Sequence, residues 1–518
     1  MSVAERTSEA PRAAGATWGR DLLASIVVFL VALPLCMGVA IASGVPPALG
    51  LLSGIIGGIV VGSLAGAPLQ VSGPAAGLTV IVWEIVQEHG LPGMAIIVML
   101  AGLMQIAAGL LRVGGWFRAV SPAVIHGMLG GIGCLIMASQ IHVVMDSGPK
   151  GGGIANLMAL PETITKAVLP VDGSTHHLAA GIGILTVLTM MAWSRFAPMR
   201  FKLVPAPLLA VAGAMLASWA LGLDIRHVTV PANLADVIRW PGMQDLALLR
   251  NGQIWTEALA VAVIASAETL LCATAVDKLH DGPRTRYDRE MLAQGVGNTL
   301  CGLVGAIPVT GVIVRSSANV EAGGRTRLSA ILHGVWILAF VVLLSSVLER
   351  IPVASLAAIL VFTGFKLLNP KAIKELAAYG RSEVAVYVAT VVAIIATNLL
   401  EGVLIGIGLA LVKLLWTFSR LEVGVEPGEV ADDQVLRLAG IATFLRLPVL
   451  ARALEGIRPG SQLKVEFTAL EYIDPACLDL MRDWAQRHQA MGGRVDVSWD
   501  SLSERYHAQR STLQRRGA

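Results

Sequence analysis

Long apolar runs recur along the chain with short polar connections, at about residues 21–43, 48–65, 74–86, 94–113, 120–145, 177–193 and 204–221. A polar connection, 224–253, leads to a second set at about 254–276, 291–306, 312–320, 328–348, 352–367, 384–399 and 403–418. Most are long enough to cross about 30 Å of hydrocarbon as helices rising about 1.5 Å per residue. The runs at 74–86 and 312–320 are too short. The pattern predicts an all-α polytopic membrane domain of roughly fourteen segments, two of them half-helices.

Composition agrees, with 55% hydrophobic and 14% charged residues among 518 and a mean hydropathy of +0.70. Those values exclude an ordinary soluble enzyme and leave no basic surface suited to nucleic acid. Net charge of +3 says little, because the placement of Lys and Arg matters more than their sum. Arg112 and Arg118, then Arg195, Arg200 and Lys202, then Lys278, Arg284, Arg286 and Arg289 follow even-numbered segments. Arg325 with Arg327, and Lys371, Lys374 and Arg381, continue the series. This bias predicts a multi-pass protein of the cell inner (plasma) membrane with both termini cytoplasmic.

The two short runs resemble each other. Val71-Ser72-Gly73-Pro74 and Val309-Thr310-Gly311-Val312 stand 238 positions apart, and the same offset carries the first segment onto the eighth. Seven segments per half would invert the second copy, giving a 7+7 inverted repeat over about 21–222 and 254–420. Half-helices that begin near the bilayer midplane point unpaired N–H groups into one cavity, a setting that suits an anion. Arg315 adds a cation to the second arm, where the first has Gly77. Glu268, an isolated carboxyl within an apolar run, is a candidate proton carrier, or else a permanent ion-pair partner of Arg315.

Other polar residues carry less. Glu84 and Glu257 are expected at the interface, and His126, His142 and His333 as hydrogen-bonded packing residues. Gly54, Gly57, Gly58 and Gly62 form a small-residue packing face. The five cysteines, Cys36, Cys134, Cys272, Cys301 and Cys477, lack metal-ligand spacing and read as packing residues. No metal, cofactor or catalytic motif is expected. Residues 1–20 read as a disordered cytoplasmic tail. Beyond a linker at 421–434, residues 435–510 alternate short strands at 435–438, 463–467 and 495–499 with amphipathic helices at 448–456 and 477–489, followed by a basic tail at 511–518.

Several of these stretches resemble the SulP (sulfate permease) family of anion transporters. They are Leu33-Pro34 through Gly44-Val45-Pro46-Pro47, Gln70-Val71-Ser72-Gly73-Pro74, and Pro308-Val309-Thr310-Gly311 through Arg315-Ser316, Asn319 and Gly323-Gly324-Arg325-Thr326. Gly440-Ile441-Ala442-Thr443-Phe444, Val465-Glu466-Phe467 and Tyr472-Ile473-Asp474 are similar to the family's STAS domain. The resemblance implies a uracil-permease-like fold with core and gate domains, and a homodimer. It implies a substrate site at Leu35, Val39, Ala75, Ala76, Ile313, Val314 and Arg315, with Glu268 beside it as the proton-coupling residue. Sodium-coupled members place an Asp and a Thr four residues apart where this chain has Glu268 and Cys272, and a thiol cannot ligate a hard cation as oxygen does. Where anti-sigma antagonists carry a phosphorylatable Ser after the Asp, this chain has Pro475, Ala476 and Cys477.

The expectation is therefore a secondary active transporter, a symporter of a small inorganic or carboxylate anion with a proton, working by elevator-like alternating access. Bicarbonate, sulfate, chloride and C4 dicarboxylates are all candidates. An uncoupled exchanger or channel, and a membrane scaffold acting through the C-terminal domain, are the alternatives. A nucleobase permease is disfavoured, since Arg315 does not help to hold a neutral ring.

Overall fold

The computed structural model describes residues 14–115, 121–169, 175–198, 204–229, 234–242, 244–427 and 433–502. The expected disorder of residues 1–13, the tail at 511–518 and the basic residues Arg118, Arg200 and Lys202 lie outside them. Two compact units, 1–407 and 408–518, make up the chain.

In the first unit, α1 (Ala14–Ala42) begins earlier than expected, within the stretch read as a disordered tail. The buried Asp21 carboxylate anchors this end by accepting hydrogen bonds from the N–H groups of Arg325 at 2.6 Å and Thr326 at 3.0 Å, and from the Thr326 hydroxyl at 2.7 Å. α2 (Pro47–Ile56) continues through a π turn at Gly57–Val61 into the short α3 (Gly62–Leu64). At that turn the chain touches two neighbours. A Cβ on Gly57 would stand 2.7 Å from the Ser72 carbonyl oxygen, and one on Gly58 2.6 Å from the Gly334 Cα.

Strand β1 (Ser72–Pro74) runs into a 3₁₀ turn, Ala76–Leu78, and then α4 (Thr79–Leu110). The third and fourth predicted segments are joined in α4, which breaks at Gly90 (φ 65°) just before Pro92. There follow α5 (Pro122–Val144), α6 (Gly153–Val168), α7 (Thr175–Phe196), α8 (Ala206–Ala220), α9 (Gly252–Val276) and α10 (Tyr287–Leu303). Strand β2 (Val309–Gly311) leads into α11 (Ile313–Glu321), and then come α12 (Leu328–Leu348), α13 (Val353–Leu368), α14 (Pro370–Tyr379), α15 (Arg381–Ala396) and α16 (Leu399–Phe418). α6 and α14 occupy stretches the hydropathy pattern treats as connections. Both are short and two-sided, which a search for long apolar runs passes over.

Among the described residues, nine helices are long and apolar enough to cross a membrane. This mostly helical, polytopic body is organised as two packed sets. α1, α2, α4, α9, α10, α11 and α12 pack mainly with one another, as do α5, α7, α8, α13 and α15. Small residues allow both sets to close up. Gly102 of α4 meets Gly295 of α10, and Gly133 of α5 meets Gly364 of α13, so that an added Cβ would fall within 2.8 Å of the facing backbone oxygen.

In the second unit, β3 (Leu421–Pro427) lies antiparallel to β4 (Asp433–Ala442). The stretch expected as linker is thus largely an edge strand. Its alternating Leu421, Val423 and Val425 suit a half-buried face, a signal hidden by the Gly424 and Glu residues between them. β4 also pairs in parallel with β5 (Gln462–Glu466) and, past a shift at Gly440, with β6 (Leu470–Ile473), while β7 (Arg494–Asp496) extends β5. α17 (Leu447–Glu455) and α18 (Pro475–Ala490) contribute Leu450, Leu454, Leu478 and Met481 to a core with Leu436, Leu438, Leu470 and Ile473. The Asp474 carboxylate caps α18 by accepting from the Cys477 N–H at 2.8 Å. Burial, with Asp474 beside it, pushes the Cys477 thiol up to about 12, so it is an inert packing group.

Candidate functional site

Two β-strands and the helices that follow them form the centre of the first unit. β1 and β2 pair antiparallel, Ser72 with Gly311, Gly73 with Thr310 and Pro74 with Val309, and the Val312 N–H donates to the Val71 carbonyl at 2.9 Å. Polar side chains hold this crossing from several helices. The Asn298 amide spans Val309, accepting its N–H at 2.7 Å and donating to its carbonyl at 3.1 Å. The Thr269 hydroxyl accepts from the Gly311 N–H at 3.1 Å, and the Ser316 hydroxyl from the Val71 N–H at 2.9 Å. The buried Glu290 carboxylate accepts from the N–H groups of Gly66 and Ala67 and from the Gln70 amide, at 2.8, 2.9 and 2.8 Å. Gln294 donates both to Glu290, at 3.1 Å, and to the Ser72 hydroxyl, at 2.6 Å.

Glu290, Gln294 and Asn298 are positioning residues that the sequence reading missed. Their spacing of four places them on one face of α10, and a run of polar residues at that spacing in an otherwise helical segment was the available signal. Glu290 and Asn298 satisfy backbone groups that would otherwise be orphaned, and Gln294 ties Glu290 to Ser72.

Beyond the crossing, both helices start without a capping side chain. Ala75 precedes the 3₁₀ turn, Val312 precedes α11, and neither can accept from the first N–H groups. Those groups border a cavity of about 250 Å³. Leu35 and Val39 of α1, Ala76, Glu268 of α9, and Ile313, Val314 and Arg315 all line it. Ala75 does not. It is buried and lies outside the residues that line the cavity. His126 of α5 lines the cavity instead of packing in the core, together with Ile132, Cys272, Thr274, Lys278 and Thr363. The walls thus come from both helix sets.

Arg315 is fully buried, and all three of its guanidinium nitrogens lack a hydrogen-bond partner. It lies against Gly73, where a Cβ would stand 2.0 Å from Nη1. Among the described residues no carboxylate pairs with it, so the ion pair with Glu268 is not formed. Glu268 faces the Gly77 N–H and the Thr310 hydroxyl, and its Oε2 has no hydrogen-bond partner. Elsewhere, His142 is held at 2.7 Å by the Thr163 hydroxyl and at 3.0 Å by the Asn156 carbonyl. Glu257 pairs with His89 at 3.2 Å.

A buried, unpartnered cation beside two uncapped helix starts, in a cavity walled by two sets of membrane helices, is an arrangement suited to admitting a small anion. Comparison with known proteins agrees. The Sulfate permease family model matches residues 19–390. The putative sulfate transporter YvdB of Bacillus subtilis is 27% identical over 413 residues, covering 77% of this chain and 74% of that protein. The bicarbonate transporter BicA of Synechocystis sp. is 28% identical over 438 residues, covering 82% and 75%. Among solved structures, the transmembrane domain of a cyanobacterial bicarbonate transporter BicA superposes with a TM-score of 0.63 at 26% identity, covering 74% of this chain and 97% of that one. Murine Solute Carrier 26 family member A9 shares the fold, with a TM-score of 0.72 at 16% identity over 96% of this chain and 92% of that one. The chain belongs to the sulfate permease family, a family of transporters and not of enzymes.

Proposed function

We propose that this protein is a secondary active transporter that carries a small inorganic or carboxylate anion across the cell inner membrane, together with a proton. Bicarbonate and sulfate, named for its relatives, lead the candidates. Arg315 and the N–H groups at the start of α11 bind the anion, with the Ala76 N–H beside them. Leu35, Val39, Ala76, Ile313 and Val314 shape its pocket, and Glu268 carries the proton. The observation that carries this reading is the Arg315 guanidinium. A fully buried cation with no carboxylate partner among the described residues, and only the neutral Cys36 thiol beside it, is costly, and an anion in the adjoining cavity would relieve that cost.

The same proposal includes fourteen spans in a 7+7 inverted repeat. Its support is the register of the crossing. With Ser72 equivalent to Thr310 and Gly73 to Gly311, the pairs Ser72–Gly311 and Gly73–Thr310 exchange under a twofold axis. Elevator-like alternation would move the set containing β1, β2 and α9 against the set containing α5 and α13. Cytoplasmic termini, a homodimer and a STAS role for the C-terminal α/β unit belong to the same reading.

Uptake of labelled anions by proteoliposomes, with and without an inward proton gradient, tests it. Saturable uptake stimulated by the gradient in the wild type and not in Glu268→Gln is the expected result. Gradient dependence that survives Glu268→Gln would remove the proton role. The uncoupled alternative has one observation in its favour, the Gly77 N–H and Thr310 hydroxyl facing Glu268, an arrangement that also suits a permanently charged structural carboxylate.

A further inference from the structure

Two cavities reach the neighbourhood of Arg315. The first holds Arg315 and Glu268, and among its lining residues are Thr274, Lys278 and His126. A second, of about 760 Å³, lies between α1, the start of α8, α11 and α13, and includes Ser317, Glu321 and Lys366 in its lining. Leu35, Val314 and Thr363 are common to both, so they form a thin septum between two branches.

The branches differ in charge. Lys278 is exposed and still lines the first cavity, which marks it as a mouth residue. It stands ten positions beyond Glu268 at the end of α9, about 15 Å along the helix axis. No lining residue near that mouth is acidic, and His126 faces it from α5. Glu375 stands near His126 without lining the cavity. Asp277, next to Lys278, is engaged by the Thr285 N–H at 3.2 Å and the Thr285 hydroxyl at 2.9 Å. In the second branch Lys366 shares the wall with exposed Glu321, so the cation is offset there, and its ammonium sits 4.8 Å over the Phe362 ring.

We infer that Lys278 draws the substrate anion to its site from the cytoplasmic side, and that the branch it borders, not the one bordered by Lys366 and Glu321, is the anion's path between the site and the cytoplasm. A narrow apolar cleft whose mouth is lined by a cation and by no acid concentrates anions, and Asp277 behind Lys278 weakens that pull without lining the cleft. Lys278 thus acts before binding, as a specificity and capture residue that never touches the bound anion. The inference rests on the anion-transport reading above.

The test is initial uptake by proteoliposomes oriented with the cytoplasmic face outward, of full-length wild type, Lys278→Arg, Lys278→Gln, Lys278→Glu and Lys366→Gln, using labelled bicarbonate and sulfate, with ionic strength set by a bulky organic salt. At about 10 mM ionic strength, where charges are felt over roughly 30 Å, Lys278→Glu lowers kcat/KM about tenfold and Lys278→Gln about threefold, through KM with kcat unchanged. Near 1 M the differences shrink below about twofold, as screening falls to roughly 3 Å. Lys278→Arg behaves as wild type, and Lys366→Gln stays within about twofold of it throughout. A merely structural lysine would not give a loss that salt removes. Wild-type uptake with a KM indifferent to Lys278→Glu at low salt, or a larger effect at Lys366 than at Lys278, overturns this inference alone. Failure of the wild type to carry either anion, or chloride or succinate in its place, overturns the transport reading and this inference with it.

Discussion

The two arms of the central crossing begin alike and are built for different tasks. Each runs from a short strand with a hydroxyl and a glycine into an uncapped helix, and the strands pair in a register that treats them as equivalent. Yet the second arm carries Arg315, while the first carries no charge before Glu84. The first arm supplies room instead. Its Gly73 leaves space for the Arg315 guanidinium, and its Gly77 for the Glu268 carboxylate, since a Cβ at these positions would stand 2.0 Å from Nη1 and 2.9 Å from Oε2. One arm holds the cation and the other is the mould around both charged groups. A repeat that duplicated the charge would put two cations in one small cavity, and a repeat that duplicated Gly77 at position 315 would have none.

If this division is right, the largest effect belongs to Arg315. Arg315→Met removes charge-assisted hydrogen bonds to the anion worth about 1.5–3 kcal/mol each, so uptake efficiency falls about 100-fold or more. Its thermal midpoint stays level or rises, because no carboxylate partner is left unpaired and a buried charge is gone. A midpoint lowered by many degrees would make Arg315 a structural residue and undo the comparison. Next comes Gly73→Ala. Overpacking against Nη1 costs about 1–3 kcal/mol, lowers the midpoint and cuts uptake about tenfold. In the double variant with Arg315→Met the stability loss disappears, a coupling that a thermodynamic cycle measures directly.

How much of this the sequence showed depends on the kind of signal. Apolar runs locate the spans because hydrocarbon imposes length and composition on them. The two arms were legible because a hydroxyl, glycines and an Arg have no place in a lipid-facing helix. Ile313, Val314, Leu35 and Val39 line the cavity, as the family resemblance implied. Ala76 lines it too, while Ala75, named with it, is buried outside the lining. Polar positioning residues were harder to see. Glu290 gains its meaning from backbone N–H groups, and Gln294 from the Ser72 hydroxyl, more than two hundred positions away. β3 was obscured by its own charged and glycine positions, and the start of α1 by a composition shared with flexible tails. Lys278 read as one basic residue among several in a connection, and only the cavity at its side separates it from them.

Gly77→Ala tests the other half of the mould. Its Cβ would meet Glu268 Oε2 and Ile132 Cδ1, each at 2.9 Å, and both are side-chain ends that can shift. The loss of uptake is therefore smaller, about three- to fivefold. It falls on the proton-driven part, so the ratio of uptake with and without a gradient drops while the midpoint hardly moves. A loss equal in both conditions would place Gly77 with the anion alone.

The smallest and most discriminating pair is Ala75→Ser and Val312→Ser, which supply the cap that each helix start lacks. A serine there accepts a hydrogen bond from the N–H groups of the helix start, at position 75 in competition with the Glu268 carboxylate that faces the Gly77 N–H, worth up to about 1 kcal/mol in stability, and competes with the anion for the same donors. Each variant is then slightly more stable and binds its anion about two- to threefold more weakly, read as KM against the thermal midpoint. Because the second arm also holds Arg315, whose charge dominates attraction there, Ala75→Ser costs more affinity than Val312→Ser. The reverse order would mean that the uncharged arm is only a mould, and that its helix start contributes nothing to holding the anion.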